Sequence, residues 1–347
     1  MFNKMKKIRK TSFVAINLSK TILYSLEYKL LYQISNLFSF MVRPPKAETD
    51  KDLIEHLQKN VIRIHNEDAQ NILDGYYSAK VLIPKSPTNH ILKLPKLIID
   101  SLRISRRRKL NLKKDFDSSL ENIPEYFNRN FHFQTDGYFS AESASLYEHQ
   151  VEVLFSGTAA PMRRMLIKFL KDKMSCENFS ERPLRILELG AGVGTASIDF
   201  CKSFNVEKYV ISDPSGPYLE MAKKRINTPA VEFVKAYGED LPFNEGEFDL
   251  VFAVYLFHEL PRSVRENVLS ESRRVLRTGG LFAFCDSLQN NDDIKLNEVL
   301  NNFPIDYHEP FFKDYTIWET SLALQGAGFQ NIESHYRLLS KYWLGKK

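Results

Sequence analysis

Cysteine is scarce in this chain, and its spacing argues against a structural zinc site. The 347 residues include three cysteines, Cys176, Cys201 and Cys285. No two of them form a C-x-x-C pair, and none stands at ligand spacing from a histidine. A structural zinc site would need such spacing. The sequence therefore predicts a cytoplasmic protein of a reducing compartment, without a metal.

A long uninterrupted apolar run is also absent. The apolar stretch at residues 22–42 contains Glu27, Lys29, Gln33 and Asn36. A helix that spans a bilayer needs about 20 predominantly apolar residues, so no spanning segment is expected here. A short apolar core with a small-residue cleavage site is missing as well, so no secretory signal is expected.

Acidic residues are few in the first third of the chain. The net charge of +5 divides into +13 for residues 1–115 and −8 for residues 116–347. Residues 1–10 carry five Lys or Arg and no acid, and apolar residues then recur at helical spacing. A basic amphipathic segment of this kind can lie on a membrane surface. It can equally pack on the rest of the protein, and the sequence leaves both interpretations open.

Composition and periodicity divide the chain into three parts. Residues 1–45 form the basic amphipathic segment, and residues 46–127 form a helical N-terminal region with a basic linker. Residues 128–347 form an α/β domain, in which 128–180 are an N-terminal cap and 184–347 are the core.

The basic linker contains two clusters, Arg106–Lys109 and Lys113-Lys114. A run of like charges is most often a solvated face. No RNA-binding signature stands near these clusters, so the sequence favours a solvated or lipid-facing role, and nucleic acid is not an expected partner.

The core is organised around the stretch from Leu184 to Thr195. An apolar run ends at Glu188 and is followed by Gly190, Gly192 and Gly194. This pattern predicts a buried parallel strand, a tight turn and the start of a helix. Thr195 stands where the dinucleotide fingerprint G-x-G-x-x-G has its third glycine, so the usual dinucleotide site is excluded.

Strands and helices then alternate toward the C-terminus. The second predicted strand ends at Asp213, where an acid can hydrogen-bond a ribose diol. A helix over 262–276 is predicted to end at Thr278-Gly279-Gly280, with glycine as its stop, before a fifth strand over 281–285. The alternation predicts an α/β, Rossmann-like, doubly wound and mostly parallel seven-stranded sheet with an N-terminal helical extension.

Four ordered elements resemble class I S-adenosylmethionine-dependent methyltransferases. They are E-x-G-x-G-x-G at 188–194, Asp213, the segment 238–243, and the strand 248–251 leading to His258. Two segments are similar to the methyltransferase type 11 subgroup, which includes ubiquinone and menaquinone C-methyltransferases: 241–243 and 275–280. Four others resemble a poorly characterised bacterial and plastid branch of this superfamily: 130–138, 258–261, 286–289 and 308–310.

The resemblance implies S-adenosyl-L-methionine as cofactor. The residues that it assigns to the cofactor are Glu188, Gly190, Gly192, Gly194, Asp213, Pro214, Tyr237, Gly238, Glu239 and Val254. One position departs from the family pattern, because Tyr237 stands where Asp or Asn usually accepts from the adenine amino group. Adenine recognition is therefore expected from Tyr237, Glu239 or the backbone of Gly238.

Three residues are candidates for catalysis. His258 follows the fourth strand and Asp286 ends the fifth, at the sheet edge where open α/β folds bind ligands. His258 is the candidate general base, because an unperturbed histidine has a pKa near 6.5. Asp286 either orients the substrate or caps the turn. His132 could close over the site from the N-terminal cap.

The sequence therefore predicts a methyltransferase of class EC 2.1.1 that acts on a small, lipophilic or aromatic acceptor. Contact with a membrane surface through the basic N-terminal region is part of this hypothesis. Two alternatives stay open: an RNA or protein methyltransferase, and a non-catalytic assembly subunit with a methyltransferase fold. The sequence decides neither the accepting atom, the pathway nor the oligomeric state.

Overall fold

A computed structural model describes residues 2–38, 50–83, 88–112, 123–177, 179 and 182–347. The predicted boundary at residue 45 and the cluster Lys113-Lys114 lie outside these residues. The chain divides into two compact units. The first comprises Met1–Met162 with Ile305–His308, and the second comprises Arg163–Pro304 with Glu309–Lys347.

The first unit is helical. Its helices are α1 (Phe2–Phe38), α2 (Lys51–Leu73), α3 (Thr88–Leu110), α4 (Ala141–Leu154) and the first turn of α5 (Ala159–Cys176). Side chains cap two of the N-termini, where Asp50 accepts a hydrogen bond from Asp52 N and Ser140 accepts one from Ser143 N. Within the described residues, no helix is long and apolar enough to cross a membrane.

The second unit is built on a seven-stranded sheet with the order β3-β2-β1-β4-β5-β7-β6. Its strands are β1 (Leu184–Leu189), β2 (Val206–Ser212), β3 (Val231–Val234), β4 (Phe248–Val254), β5 (Leu276–Ser287), β6 (Gln330–Arg337) and β7 (Ser340–Lys346). Strands β1 to β5 are parallel, and β7 is antiparallel to both β5 and β6. The predicted α/β, Rossmann-like, mostly parallel seven-stranded fold is confirmed.

Helices connect most of these strands, as crossovers between parallel strands usually do. They are α6 (Thr195–Cys201), α7 (Gly216–Arg225), α8 (Arg262–Val275), α9 (Asn297–Tyr307), α10 (Phe312–Thr316) and α11 (Thr320–Gly326). Strands β1 and β4 are buried along nearly their whole length because both faces of the sheet are covered. In this core the ring of Phe200 on α6 stacks on Phe252 of β4 at 4.0 Å.

The strand order also locates the candidate site. From β1 the chain moves outward through β2 and β3, and then returns to place β4 on the other side of β1. The strand order therefore reverses between β1 and β4. In an open sheet, ligands bind in the crevice beyond the carboxyl ends of the strands at such a reversal.

The predicted glycine stop of α8 is wrong. The helix ends at Val275, and residues 276–287 form one long strand that includes Gly279 and Gly280. A Cβ on Gly280 would lie 2.9 Å from the carbonyl oxygen of Arg277 and 3.1 Å from that of Asp249. The second glycine therefore allows close backbone approach within the sheet and does not terminate a helix.

A buried carboxylate near the start of β4 holds three arginines. Asp249 is fully buried, accepts hydrogen bonds from Arg185 N (2.9 Å) and Arg185 Nε (3.2 Å), and pairs with Arg182 and Arg277. Burial raises the pKa of Asp249, but the bonds from Arg185 and Arg277 outweigh it, so the pKa lies below its ordinary value. The carboxylate is ionised at neutral pH, so its three partners are needed to offset its burial.

We expect Asp249→Asn to lower the free energy of unfolding by about 3 kcal/mol, because the substitution leaves buried donors poorly paired. Urea denaturation would measure the change. Glu232→Gln is the matched control, since Glu232 forms an exposed pair with Lys208 at 3.2 Å. Its loss should cost less than about 1 kcal/mol. Equal losses in the two variants would contradict this account of Asp249.

Candidate functional site

The turns that follow β1, β2 and β4 meet at the carboxyl edge of the sheet. Ala191 N donates to Ser212 O at 3.0 Å, which ties the turn after β1 to the end of β2. The side chain of Leu256, just beyond β4, lies 2.8 Å from where a Cβ of Gly190 would stand. Adjacent strands therefore bring the predicted glycine turn next to residues that are distant in the sequence.

The glycine turn leaves open space above its middle residue. Gly190, Gly192 and Gly194 have φ values of +58°, +57° and +71°, which disfavour other residues. A Cβ on Gly194 would lie 2.8 Å from Ile226, whereas a Cβ on Gly192 would meet no described residue closer than Tyr218 at 3.8 Å. Gly190 and Gly194 therefore serve packing, and Gly192 presents backbone that a ligand can approach.

Asp213 stands beside this turn and holds it. Its Oδ2 accepts from Gly192 N at 2.8 Å, and its Oδ1 accepts from Ser215 N at 2.8 Å. Burial raises the pKa of Asp213 to about 6, although these two N–H groups favour the charged form. The carboxylate is thus mostly ionised at neutral pH, and each oxygen has lone-pair capacity for a further donor such as a hydroxyl.

Glu188 faces the interior of the unit. Its Oε2 accepts from the hydroxyl of Ser197 on α6 at 2.5 Å and from that of Tyr209 on β2 at 2.6 Å. Burial raises its pKa to about 7, against these hydrogen bonds and with a contribution from Asp213. In this arrangement Glu188 stabilises the position of the helix that follows the glycine turn. Its assignment as a direct cofactor contact stays a prediction.

The remaining predicted cofactor residues are half-buried at the ends of their strands. They are Pro214 after β2, Tyr237, Gly238 and Glu239 after β3, and Val254 at the end of β4. Tyr237 forms a short antiparallel bridge with Asp240, which shapes the turn after β3. A Cβ on Gly238 would lie 3.2 Å from Val268, so α8 packs closely on this turn.

His258 and Asp286 form a buried pair. His258 Nδ1 lies 2.6 Å from Asp286 Oδ1, and Asp286 Oδ2 accepts from Phe257 N at 2.7 Å. Asp286 Oδ1 also accepts from Ser287 N at 2.7 Å. The carboxylate therefore joins the end of β5 to the short helical turn at residues 257–259 after β4.

The charge state of His258 differs from the one that the sequence suggested. Burial alone would lower the pKa of His258, but Asp286, Glu259 and Glu309 outweigh it and raise the pKa to about 9. The ring is therefore cationic at neutral pH, with its Nδ1–H directed at Asp286. A protonated imidazole cannot accept a further proton, so this raised pKa does not favour His258 as the base, and that assignment stays a prediction.

His132 belongs to the first unit. Its Nε2 lies 3.2 Å from the hydroxyl of Tyr138, and its φ is +53°. Its predicted role in closing over the site stays a prediction.

Tyr255 is a residue at the carboxyl edge of the sheet that sequence reasoning missed. It directly follows β4 with φ +56°, a conformation that is strained for an aromatic residue. Its N donates to Cys285 O at 2.7 Å, and its hydroxyl lies 2.7 Å from Ser340 Oγ. No local motif marks this position, because the strain is imposed by β5 and β7, which lie far away in the sequence.

The His258–Asp286 pair should make stability depend on pH in the alkaline range. Because the folded-state pKa exceeds the unfolded value of 6.5, the stabilisation is complete below about pH 6.5 and is lost as pH rises through about 9. We expect a loss of at most about 3 kcal/mol over this interval, measured by urea denaturation at several pH values.

His258→Gln is the control variant, since it removes the titrating ring and should flatten the pH dependence in this range. NMR titration of the ring protons would report the pKa directly. A histidine that titrates near pH 6.5 in the folded protein would contradict the assignment.

Similarity to known proteins covers part of the chain. A family model described as a methyltransferase domain matches residues 186–280. An uncharacterized methyltransferase of Synechocystis sp. is 32% identical over 115 residues, which are 33% of this chain and 52% of that protein. A fatty-acid O-methyltransferase of Mycolicibacterium smegmatis is 31% identical over 121 residues, 35% of this chain and 43% of that protein.

A phthiotriol/phenolphthiotriol dimycocerosates methyltransferase of Mycobacterium tuberculosis is 32% identical over 108 residues, 31% of this chain and 39% of that protein. The chain thus spans about half, or less, of the length of these curated relatives. The narrower subgroup and branch stay predictions.

The matched region begins within β1 and ends in β5, so it contains the glycine turn, Asp213 and the turn after β4. Residues 186–280 of this chain are therefore similar to a methyltransferase domain.

Proposed function

We propose that this protein transfers the methyl group of S-adenosyl-L-methionine to a small, lipophilic acceptor. The observation that carries the proposal is the open backbone at Gly192 beside the Asp213 carboxylate, where the strand order reverses. A ligand can approach the chain closely there, and a polar group can hold its hydroxyls.

The residues at the sheet edge fit this cofactor. We assign the ribose diol to Asp213, which keeps acceptor capacity beyond its two N–H bonds. We assign the adenine end to Tyr237, Gly238 and Glu239, and the walls of the site to Pro214 and Val254. When bound, the cofactor supplies an electrophilic methyl group on a sulfonium, and the protein supplies alignment.

The charge of His258 indicates which kind of methyl acceptor the site can use. The cationic ring, held at Nδ1 by Asp286, cannot remove a proton from the acceptor at neutral pH. We therefore favour an acceptor whose nucleophilic atom is already unprotonated at neutral pH, for instance a carboxylate. In this proposal Asp286 positions His258 and the turn after β4, and His258 orients the acceptor without acting as the base.

Two of the relatives support a lipophilic acceptor, since one is named for fatty acids and another for phthiotriol dimycocerosates. Lipophilic acceptors partition into membranes, so contact of the basic segment 1–45 with a membrane surface forms part of this proposal. RNA or protein acceptors and a non-catalytic assembly role are the competing functions that the experiments below would reveal.

Cofactor binding can be tested with a matched pair of glycine variants. Gly192 and Gly246 have φ values of +57° and +72°, and at both a Cβ would meet no atom of the described residues closer than 3.8 Å. We expect Gly192→Ala to weaken S-adenosylmethionine binding at least tenfold in calorimetric titration, because its methyl group enters the space above the turn. Gly246→Ala carries similar backbone strain before β4 and should bind normally.

Loss of affinity in both variants would indicate that strain causes the effect and that Gly192 does not face the cofactor. Failure of the unsubstituted protein to bind S-adenosylmethionine would favour the non-catalytic assembly role.

The reaction itself can be tested with methyl-labelled cofactor and a total lipid extract, followed by mass spectrometry. We expect label in an organic-soluble product, and no label after Asp213→Ala, which removes the proposed ribose contact. Label in RNA or in protein would instead indicate that the methyl acceptor is RNA or protein.

A further inference from the structure

Helix α1 carries a row of exposed apolar side chains along one face. At 100° per residue, its members lie within an arc of about 120°, and each is between 40% and 62% exposed. They are Met5, Ile8, Ile16, Ile22, Leu23, Leu26 and Leu30. We call these seven residues the apolar row. Ser12 and Ser19 are also exposed and lie on the same face, in gaps between these apolar side chains. Scattered exposed apolar residues are common in proteins, but a row aligned along 26 residues of one helix is not.

The opposite face of α1 is anchored by polar contacts within the first unit. Asn17 Nδ2 donates to Asp68 Oδ2 at 2.8 Å, and Thr21 Oγ1 lies 2.8 Å from His65 Nε2. Both partners are on α2 and fully buried. These bonds fix the rotation of the helix about its axis, since turning the apolar row inward would leave buried polar groups without their partners.

A third polar contact anchors the middle of the helix to α4. Glu27 Oε1 lies 2.7 Å from His149 Nε2, and both side chains are buried. The pattern of α1 is thus the reverse of an ordinary surface helix, which buries its apolar stripe and exposes its polar face. Hydrogen bonds hold the helix in place, and its apolar row faces outward.

The charges beside the apolar row indicate whether a second copy of the chain or a membrane covers it. Residues 2–38 contain seven Lys or Arg, and their one acid, Glu27, is buried against His149. By helical position, exposed Lys7 and Lys29 flank the row on one side and exposed Arg9 flanks it on the other. A second copy of this chain would bring the same cations together, which is unfavourable. A bilayer with anionic headgroups offers apolar chains and opposite charge together.

We infer that α1 lies along the surface of an anionic membrane, with the apolar row inserted at the headgroup boundary and the flanking cations at the lipid phosphates. Residues 5–30 would contact the membrane over roughly 40 Å at 1.5 Å per residue. The inference specifies the face, orientation and lipid charge of the membrane contact proposed above. It does not depend on methyl transfer, because it rests on α1 alone.

The test is co-sedimentation of the full chain with vesicles of phosphatidylcholine, with and without one-third phosphatidylglycerol. We expect binding to the anionic vesicles that weakens with added salt, and little binding to the neutral ones. Substituting Ile8, Leu23, Leu26 and Leu30 by serine in one variant should reduce binding to anionic vesicles at least tenfold. Replacing Lys7, Arg9 and Lys29 by glutamine should reduce it several-fold and diminish its salt dependence.

The matched control is a triple serine variant of Ile294, Ile317 and Leu322, which lie in the second unit and are 59% to 76% exposed. It removes comparable apolar surface and should bind vesicles as the unsubstituted protein does. Circular dichroism and cofactor titration of each variant would show that it is folded, and keep loss of membrane binding separate from loss of the methyltransferase site.

Equal vesicle binding by the row variant and the unsubstituted protein would overturn the inference. A second result would also overturn it: the unsubstituted protein does not bind vesicles and sediments as an oligomer, and the row variant sediments as a monomer. The row would then be covered by a second copy.

Discussion

The hydrogen bond from Gly192 N to the Asp213 carboxylate joins the turn after β1 to the end of β2, and the arrangement of the candidate site depends on it. It forms only because parallel strands bring their carboxyl ends to one edge. With one oxygen on Gly192 and the other on Ser215, the carboxylate stabilises both turns. The backbone of Gly192 is thereby held where, among the described residues, the nearest side chain to an added Cβ is that of Tyr218 at 3.8 Å.

Buried carboxylates recur at the same edge, and their partners determine what each can do. Glu188 accepts from two hydroxyl groups and has a raised pKa, so it supports the helix after the turn. Asp286 accepts from backbone N–H groups and faces the ring of His258, whose charge it stabilises. An interior of low polarity makes a lone charge costly, so each acid is surrounded by donors. The carboxylates around His258 likewise raise its pKa, and its role in catalysis stays a prediction.

The two units use polar and apolar contacts in opposite ways. In the second unit the central strands are buried and apolar, and polar groups collect at the sheet edge. In the first unit, buried polar pairs such as Asn17 with Asp68 hold α1 in place, while apolar side chains of the same helix are exposed. Hydrophobic burial positions the sheet, whereas directional hydrogen bonds set the rotation of α1.

The sequence by itself determined the α/β fold, the glycine turn and the acid at the end of β2, because these depend on local periodicity and short spacing. It also marked the basic, amphipathic character of the N-terminal segment. It misjudged Gly279 and Gly280, since only the pairing of β5 with β4 shows that glycine there lies within a strand. Only the tertiary structure decided the inward direction of Glu188, the strain at Tyr255, the charge of His258 and the outward face of α1. Each of these depends on burial and on partners far away in the sequence, and neither can be read from local spacing.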